Sequence, residues 1–545
     1  MTIAEQAEPA RRPTRAAWRR AGTGLWVIVI AGLVLRLAPV LQAPFPFGDG
    51  GLYHAYIRDL EASGLVPPLT TSYNGGIAFP YPFLAFELVA IASSVTGIEP
   101  LVFLRFLPPI LSTLAIVAFA WLAQGILREK SQVLVGTFLF ATLPEAYQNS
   151  ILGGGITKSL AVALVLVALG VGVRAMRTGT PRGLALCGVL IGLAQLAHPY
   201  AGPASAIGLL FIVLLVGPSR RRIAGYLGAG VLAILVASPW WLRVLVAAGP
   251  EPLLSAASGS SDPVLGIVAQ SYVLLVSSGL PLLAAACWVA TAAALLRPSR
   301  TLIVLGGWSL VVAAIDQRNA YLSFPVPAAL FGAAGVASVA ASLRPTGVRF
   351  RGWTRRSRPF VGGALMALAA VAVAIPLVVP GITGPRDPLR EPDLAAARAV
   401  ETLLPPGTRV LVITGVPWYA DDISEWLPAL TTSISVATPQ GTEWAGPGVF
   451  ARTVAAHEEA QGCADEGVPC VEAWGVETGV AFDAIYVAGP EGEPSRQPEP
   501  TIPELLGLVP TTRDDCCGPL RESLLAEPRW RVVYDADGAI LAIRT

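Results

Sequence analysis

Long apolar runs, separated by short basic breaks, make up most of the first 380 residues. Runs of about 18 or more apolar residues with few charges are typical of membrane-spanning helices, because about 20 helical residues cross the hydrocarbon core. No such run follows Pro380. The pattern predicts spans over residues 24–41, 101–127, 132–148, 156–173, 183–197, 203–217, 223–247, 265–296, 301–315, 319–342 and 360–380.

Lysine and arginine are concentrated in the breaks between these runs, and such segments normally face the cytoplasm. An even number of predicted spans separates each basic break from the next, so one parse places all of them on the same side. That parse also requires residues 81–96 to lie on the outer face, since a further span there would put residues 128–130 outside. The breaks are residues 11–20, 128–130, 174–182, 220–222, 297–300 and 344–358.

The parse divides the chain into three parts. Residues 1–23 form a basic cytoplasmic N-terminus, residues 24–380 a transmembrane domain with a first external loop at 42–100, and residues 381–545 an extracytoplasmic domain. We therefore expect a multi-pass protein of the plasma membrane. Its fold class is an all-α polytopic bundle of about eleven transmembrane helices, followed by a soluble α/β domain.

The α/β expectation for the C-terminal part comes from its local patterns. A helical spacing over residues 394–404 is stopped by Pro405-Pro406-Gly407 and followed by a compact apolar strand at 409–414. In an oxidising exterior, Cys463 and Cys470 are expected to close a short disulfide loop. Further strands are predicted at residues 433–437, 484–487, 530–534 and 540–543.

Composition supports a membrane protein and says little about partners. Of the 545 residues, 54% are hydrophobic and 14% are charged, and the formal net charge is +1. Soluble domains carry about 25% charged residues, so most of this chain is not suited to water. No nucleic-acid partner is expected, and membrane lipid surrounds the bundle.

The first external loop is long and patterned, which is typical of functional loops. Its segment from Phe45 to Leu60 contains Asp49 between glycines, directly before a helical run. Backbone N–H groups at a helix start favour a carboxylate, so Asp49 is either a helix N-cap or a catalytic acid placed by the same geometry.

This loop resembles the first external loop of GT-C membrane glycosyltransferases, in particular the oligosaccharyltransferase catalytic subunits and the polyprenyl-phosphate-sugar-dependent mannosyltransferases. In that branch an acidic residue after the first span is followed by aromatics, a His and an Arg, as in Asp49, Tyr53, His54 and Arg58 here. Tyr73-Asn74-Gly75-Gly76 and Phe79-Pro80-Tyr81-Pro82 continue the similarity. The segment 416–422 occupies the position of the Trp-Trp-Asp motif without matching it.

The resemblance implies an inverting hexosyltransferase that moves a sugar from a polyprenyl-phosphate-linked donor to an extracytoplasmic glycan, lipid or protein, with Asp49 as general base. The family's second acidic pair is reduced here to Glu145, and Lys158 introduces a positive charge. A divalent metal, Mg²⁺ or Mn²⁺, therefore remains open, and metal-independent transfer to a hydroxyl fits better.

Several polar residues on the same predicted face are candidates for substrate contacts: His54, Arg58, Glu145, His198 and Arg318. Arg318 is the first choice for stabilising the leaving phosphate, because a guanidinium fork matches phosphate oxygens. Arg36, near the outer end of the first span, is a secondary candidate that is more simply explained as an interface anchor.

Two other functions compete with glycosyl transfer. A transporter or lipid-linked-sugar flippase normally places charged residues deep within its spans and often contains repeats, whereas here the charges collect at span ends. A non-catalytic cell-envelope assembly protein would use the C-terminal domain to bind a partner and would not require Asp49.

Overall fold

The computed structural model describes residues 15–42, 45, 50–143, 146–151, 155–258, 281–315, 320–342, 389, 391–418, 421–446, 448–489, 516–536 and 538–545. Two regions of different architecture are present. Residues 15–342 form a helical bundle with a short two-stranded sheet, and residues 391–545 form a unit built on a five-stranded sheet, which we call the sheet unit.

The bundle begins with a helix in which the predicted first span is contained. Its elements in chain order are α1 (Arg15–Gln42), α2 (Gly50–Ala62), β1 (Thr70–Thr71), β2 (Ile77–Ala78), α3 (Leu84–Thr96), α4 (Pro100–Ile126), α5 (Lys130–Thr142), α6 (Gln148–Ile151), α7 (Ile156–Thr178), α8 (Pro181–Ala197), α9 (Ala201–Val216), α10 (Arg220–Ala248), α11 (Glu251–Ser258), α12 (Pro281–Leu296), α13 (Arg300–Ile315), α14 (Ala320–Ser323) and α15 (Pro325–Ser342).

Close helix packing in the bundle depends on small residues. Helix α4 packs on α1, α5 and α7, α8 lies between α7 and α10, and α12 packs on α15. A Cβ atom at Gly188 would lie 2.7 Å from the Ala229 carbonyl oxygen, and one at Gly335 would lie 2.2 Å from the Ala290 Cα. Small residues let membrane helices approach closely, which matters because lipid is as apolar as leucine and gives no hydrophobic drive for helix association.

Four helices of the described chain are long and apolar enough to cross a bilayer: Thr23–Leu41 within α1, Pro100–Ile126, Ile156–Thr178 and Arg220–Ala248. Shorter apolar helices pack beside them, among them Pro181–Ala197 and Ala201–Val216. Four predicted spans differ from the structure or lie partly or wholly outside the described residues. The span 132–148 is helical to Thr142, and 319–342 is divided into α14 and α15. The span 265–296 is described only from Pro281, and 360–380 lies outside the described residues. The number of eleven spans therefore stays a prediction.

The two ends of the bundle are distinguishable by what they contact. Helices α2 and α3 pack against Ile156 at the start of α7 and Val244 near the end of α10, and we call this the loop end. The opposite end carries the turns α7–α8 and α9–α10, and we call it the arginine end. Helix α3 has 13 residues, about 20 Å of helix, which is too short to cross the hydrocarbon core.

The sheet unit contains parallel and antiparallel strands in one sheet. Its elements are α16 (Glu391–Leu403), β3 (Arg409–Ile413), α17 (Asp422–Leu430), β4 (Ile434–Val436), α18 (Val449–Gly462), α19 (Val468–Thr478), β5 (Ala484–Val487), α20 (Gly518–Ala526), β6 (Trp530–Ala536) and β7 (Ala539–Arg544). The strand order is β4-β3-β5-β7-β6; β3 is parallel to β4 and β5, and β7 is antiparallel to β5 and β6.

Disulfides join two pairs of cysteines in the sheet unit. Cys463 and Cys470 are bonded as the sequence predicts, and the adjacent residues Cys516 and Cys517 are also bonded. The two cysteines of the bundle, Cys187 and Cys287, are free. The oxidised pairs thus lie outside the apolar bundle.

Candidate functional site

The start of α2, directly after Asp49 in the sequence, is packed against helix α17 of the sheet unit. A Cβ atom at Gly50 would lie 2.4 Å from Cζ2 of Trp426, and one at Gly51 would lie 2.9 Å from the carbonyl oxygen of Glu425. Trp426 is fully buried, and the ring of Phe45 meets it edge-on at 4.5 Å. The glycines next to Asp49 are therefore explained by this close approach, which excludes larger side chains.

Hydrogen bonds also tie the first loop to the sheet unit. Tyr73 Oη donates to the carbonyl oxygen of Glu425 at 2.6 Å. Asn74 Nδ2 donates to the Ser435 carbonyl at 3.0 Å, and the Ser435 N–H donates back to Asn74 Oδ1 at 2.8 Å. Asn74 adopts a left-handed φ of 51°, which Asn tolerates better than most residues. The loop and the sheet unit therefore form one continuous surface.

An aromatic cluster fills the space between α2, α3 and the segment before α3. Tyr53 and Tyr56 of α2 contact Phe86 at ring-centroid distances of 5.0 and 5.2 Å, and Phe79 stacks on Tyr81 at 5.2 Å. Tyr81 in turn meets Trp444 of the sheet unit at 5.7 Å and His198 at 6.0 Å. This cluster connects the candidate residues of α2 with the α8–α9 turn.

His54, a predicted substrate contact, is buried on α2, and neither ring nitrogen has a hydrogen-bond partner among the described residues. Burial, and then the positive charge of Arg58, lower the pKa of His54 to about 4, while the Ala429 backbone opposes the shift. His54 is therefore uncharged at neutral pH. Arg58 itself is exposed, one helical turn further along α2.

His198, the second predicted histidine, caps the end of α8 and is also buried. Its Nδ1 accepts a hydrogen bond from the backbone N–H of Tyr200 at 3.3 Å, and its ring lies 5.4 Å from the Tyr200 ring. Tyr81 thus links His198 to Tyr53 of α2, the residue that precedes His54 in the chain. The role of both histidines as substrate contacts stays a prediction.

Arg36 does not sit where an interface anchor would. The side chain is fully buried between α1, α4 and α5. Its Nε donates to Ser112 Oγ at 2.9 Å, one Nη donates to the Ala141 carbonyl at 2.8 Å, and the guanidinium lies 4.5 Å from the Tyr147 ring centre. The second Nη has no partner among the described residues. Hydropathy alone does not reveal this, because a lone Arg near a helix end normally reaches the interface.

Three predicted site residues, Asp49, Glu145 and Arg318, lie outside the described residues. The described part of the chain contains no group of three His, Cys, Asp or Glu side chains able to hold a metal ion. Lys158, half-buried in the first turn of α7, keeps a cation at the loop end.

A buried polar pair in the sheet unit was missed by sequence reasoning. Asp421 caps α17 by accepting hydrogen bonds from the backbone N–H and hydroxyl of Ser424, and its Oδ2 lies 3.5 Å from His457 Nε2. Both side chains are buried, and burial raises the pKa of Asp421, opposed by His457 and Ser424. Thus Asp421, one of the two aspartates of segment 416–422, has its partners within the sheet unit. Nothing local in the sequence links residues so far apart.

The bundle and the sheet unit together are similar in fold to solved membrane glycosyltransferases. The oligosaccharyltransferase AglB from Archaeoglobus fulgidus, solved with an inhibitory peptide and dolichol-phosphate, matches with a TM-score of 0.55 and 14% identity, over 87% of this chain and 70% of that one. The same archaeal enzyme, solved with Zn and sulfate, matches with a TM-score of 0.51, 17% identity and coverage of 85% and 67%.

Two further glycosyltransferase structures share the fold. ArnT from Cupriavidus metallidurans matches with a TM-score of 0.53 and 14% identity, over 96% of this chain and 98% of that one. The arabinofuranosyltransferase AftD from Mycobacteria matches with a TM-score of 0.56 and 16% identity, over 98% of this chain and 40% of that one. No family model and no curated protein matches the sequence. At these identities the likeness shows the fold, and the activity has to be argued from the site.

Proposed function

We propose that the protein is a membrane glycosyltransferase that moves a sugar from a polyprenyl-phosphate-linked donor to an extracytoplasmic acceptor, with Asp49 as general base. The observation that carries the proposal is the junction at the start of α2. The sheet unit is packed on the two glycines that follow Asp49, so the start of α2 is held in a close contact. Catalytic groups need such support from ordered surroundings.

Sidedness supports a lipid-linked donor. With the basic breaks in the cytoplasm, the loop end and the sheet unit face the exterior, where nucleotide sugars are not available. A sugar on a polyprenyl phosphate presents its anomeric carbon at the outer interface instead. The structure of AglB in complex with dolichol-phosphate supports a donor of this class.

The proposed step is a single displacement at the anomeric carbon. The acceptor hydroxyl loses its proton to Asp49 as its oxygen bonds to that carbon, and the bond to the phosphate oxygen breaks, releasing polyprenyl phosphate with the electron pair. Arg318 stabilises the leaving phosphate, with Arg58 and Glu145 in supporting contacts. The buried histidines His54 and His198 shape the part of the site that binds the acceptor. An uncharged His54 adds no positive charge there.

The same proposal includes the overall organisation. The bundle spans the membrane eleven times within residues 24–380, and residues 381–545 form an extracytoplasmic α/β domain. One structure of the archaeal oligosaccharyltransferase contains Zn and sulfate. For this chain we propose transfer without a metal, because Glu145 is the one carboxylate of the second loop and Lys158 follows it.

A flippase or transporter is the second candidate, and one observation favours it. Arg36 is a charged residue fully enclosed within the bundle, and such residues often line substrate pathways. Its bonds to a hydroxyl and to backbone carbonyls also fit a purely structural link between α1, α4 and α5. Covalent transfer and transport are separable, because transport leaves the lipid-linked sugar chemically unchanged.

The test compares Asp49→Asn with Glu61→Gln in membranes at equal expression, supplied with a panel of radiolabelled polyprenyl-phosphate sugars. Asn keeps the size and capping ability of Asp but cannot accept the proton, so turnover should fall roughly 10²–10⁴-fold. Glu61 is a carboxylate near the end of α2 with no side-chain hydrogen bond among the described residues, and its variant should keep wild-type turnover.

Arg318→Ala should also lower turnover. Near-normal activity of the Asp49→Asn protein would contradict the assignment of Asp49 as general base. It would favour the alternative that Asp49 is only a helix N-cap. Movement of intact donor across proteoliposomes, with no new glycosidic product from any sugar of the panel, would favour the flippase instead.

A further inference from the structure

A cavity at the arginine end of the bundle has no role in the proposed reaction. It has a volume of about 320 Å³ and lies between the α7–α8 turn and the α9–α10 turn. Cavities of this size are large enough for a small ligand or a headgroup. Its walls carry three guanidinium groups, two hydroxyls and an apolar side: Arg177, Arg221, Arg222, Thr178, Ser219 and Leu184.

Two of the guanidinium groups are fixed by neutral backbone oxygens. Arg221 Nη2 donates to the Gly179 carbonyl at 2.8 Å. Arg222 Nε donates to the Met176 carbonyl at 3.0 Å, and its Nη1 donates to the Gly217 carbonyl at 2.7 Å. A guanidinium has five N–H donors, so these bonds orient both groups and leave donors for a further acceptor.

Positive charge accumulates around the cavity, and no carboxylate of the described residues forms an ion pair with it. None of the ion pairs in the described part of the chain involves Arg177, Arg221 or Arg222, whereas Arg398, Arg521 and Arg529 of the sheet unit all contact carboxylates. Arg300 also points here, with its Nη atoms 3.5 Å from the position a Cβ at Gly217 would take. Converging like charges are stabilised by an anion, and a fork of donors fits phosphate.

The surroundings of the cavity indicate the source of that phosphate. On α10, Ile223 and Leu227 follow the arginines at one-turn spacing and are 46% and 58% exposed, and Leu186 on the neighbouring α8 is 50% exposed. Acyl chains would lie along these apolar faces while the headgroup enters the cavity. A free phosphate ion would make no use of them. The positive-inside rule explains why arginines occur at this end, but not why three line one cavity.

We propose that this cavity binds the phosphate of an anionic glycerophospholipid, with Arg221 and Arg222 on its oxygens and the acyl chains against α8 and α10. The full-length protein in neutral detergent should bind phosphatidylglycerol more tightly than phosphatidylcholine with the same chains, measured by native mass spectrometry and by the thermal midpoint. Arg221→Gln and Arg177→Gln should each weaken phosphatidylglycerol binding about fivefold, as expected for one basic group near a headgroup.

Arg128→Gln is the matched control, since Arg128 is an exposed arginine of another basic break at the same end. It should bind phosphatidylglycerol like the wild type. An unchanged midpoint in phosphatidylcholine confirms that each variant is folded, and Arg177 makes no hydrogen bond to the described protein, so its loss spares the fold. Equal loss in the Arg128 variant, or no preference for the anionic lipid, would overturn the proposal. Equal stabilisation by inorganic phosphate would show a soluble ion site and overturn the lipid assignment.

Discussion

The loop end and the arginine end of the bundle use polar groups in opposite ways. At the loop end, Tyr73 and Asn74 form hydrogen bonds to the sheet unit. Gly50 has no side chain, so the Trp426 ring packs directly against the backbone of α2. At the arginine end, Arg221 and Arg222 donate to backbone carbonyls of the end of α7, the α7–α8 turn and the α9–α10 turn, and they border a cavity. The start of α2 at the loop end is covered by the protein itself, whereas the cavity at the arginine end is open to a ligand or to lipid.

This difference separates two tasks that both involve phosphate. A transferase must hold its reacting groups in a fixed geometry, which close protein contacts provide. A lipid contact at the other end needs positive charge and accessible apolar faces instead. The loop end should therefore respond strongly to small changes in shape, and the arginine end mainly to changes in charge.

The largest effect is expected from Gly50→Ala, which breaks the closed contact at the loop end. The added methyl group would meet the buried Trp426 ring at 2.4 Å, and overpacking of this kind costs about 1–3 kcal/mol. Thermal unfolding in detergent measures the loss. Gly228→Ala is the control, because a Cβ there meets nothing within 4 Å. Equal midpoints for the two variants would show that the contact is not tight.

The next effect is a pH dependence at His54. Its pKa falls from 6.5 in the unfolded chain to about 4 in the folded protein, so the unfolded chain binds the proton more readily between these values. Stability is therefore complete above about pH 6.5 and is lost as the pH falls toward about pH 4. Between about pH 7 and about pH 5 the loss should be about 2 kcal/mol.

His54→Gln removes this titrating group and should flatten the stability curve over the same pH range. The thermal midpoint measured at several pH values, for both proteins in the same detergent, gives the comparison. Parallel curves for the two proteins would mean that another group causes the acid sensitivity. The test sharpens the contrast between the ends, since the described arginine end contains no histidine.

The smallest effect is expected from Tyr73→Phe, which removes one hydrogen bond between the loop and the sheet unit. The net loss should be about 1 kcal/mol, the usual value for one such bond. Faster hydrogen–deuterium exchange in α17 would report it. Tyr56→Phe removes a bond to the Pro68 carbonyl within the loop and should leave α17 unchanged. The same exchange in both variants would argue against a specific link through Tyr73.

Local patterns predicted the elements well. The strand predicted at residues 484–487 is observed at Ala484–Val487, and residues 301–315, predicted as a span, form the helix Arg300–Ile315. Apolar runs and their stop signals consist of neighbouring residues, so the local sequence is enough to predict these boundaries. The helix predicted to reach 148 ends at Thr142, because Leu143 precedes Pro144 and adopts the extended conformation that a following proline favours.

Long-range contacts at the candidate site were not predictable from one sequence. In the sequence, Gly50 and Gly51 only follow Asp49 at the start of a helical run, whereas in the structure they give space to Trp426 and Glu425, far along the chain. Similarly, Arg36 looked like an interface anchor, and its burial depends on Ser112 and the Ala141 carbonyl on two other helices. Such partners are chosen by three-dimensional packing, and hydropathy carries no information about them.

The bond between Tyr73 and Glu425 also sets an order of events during biosynthesis. Its two residues are 352 positions apart. At about 5–20 residues per second, the ribosome needs roughly 20–70 s to make the intervening chain. Throughout that interval the first loop has emerged from the ribosome while the surface that will cover Gly50 does not yet exist. Completion of the last quarter of the polypeptide is thus the event that closes the first loop, and a chain arrested before α17 would leave its aromatic side chains open to proteases.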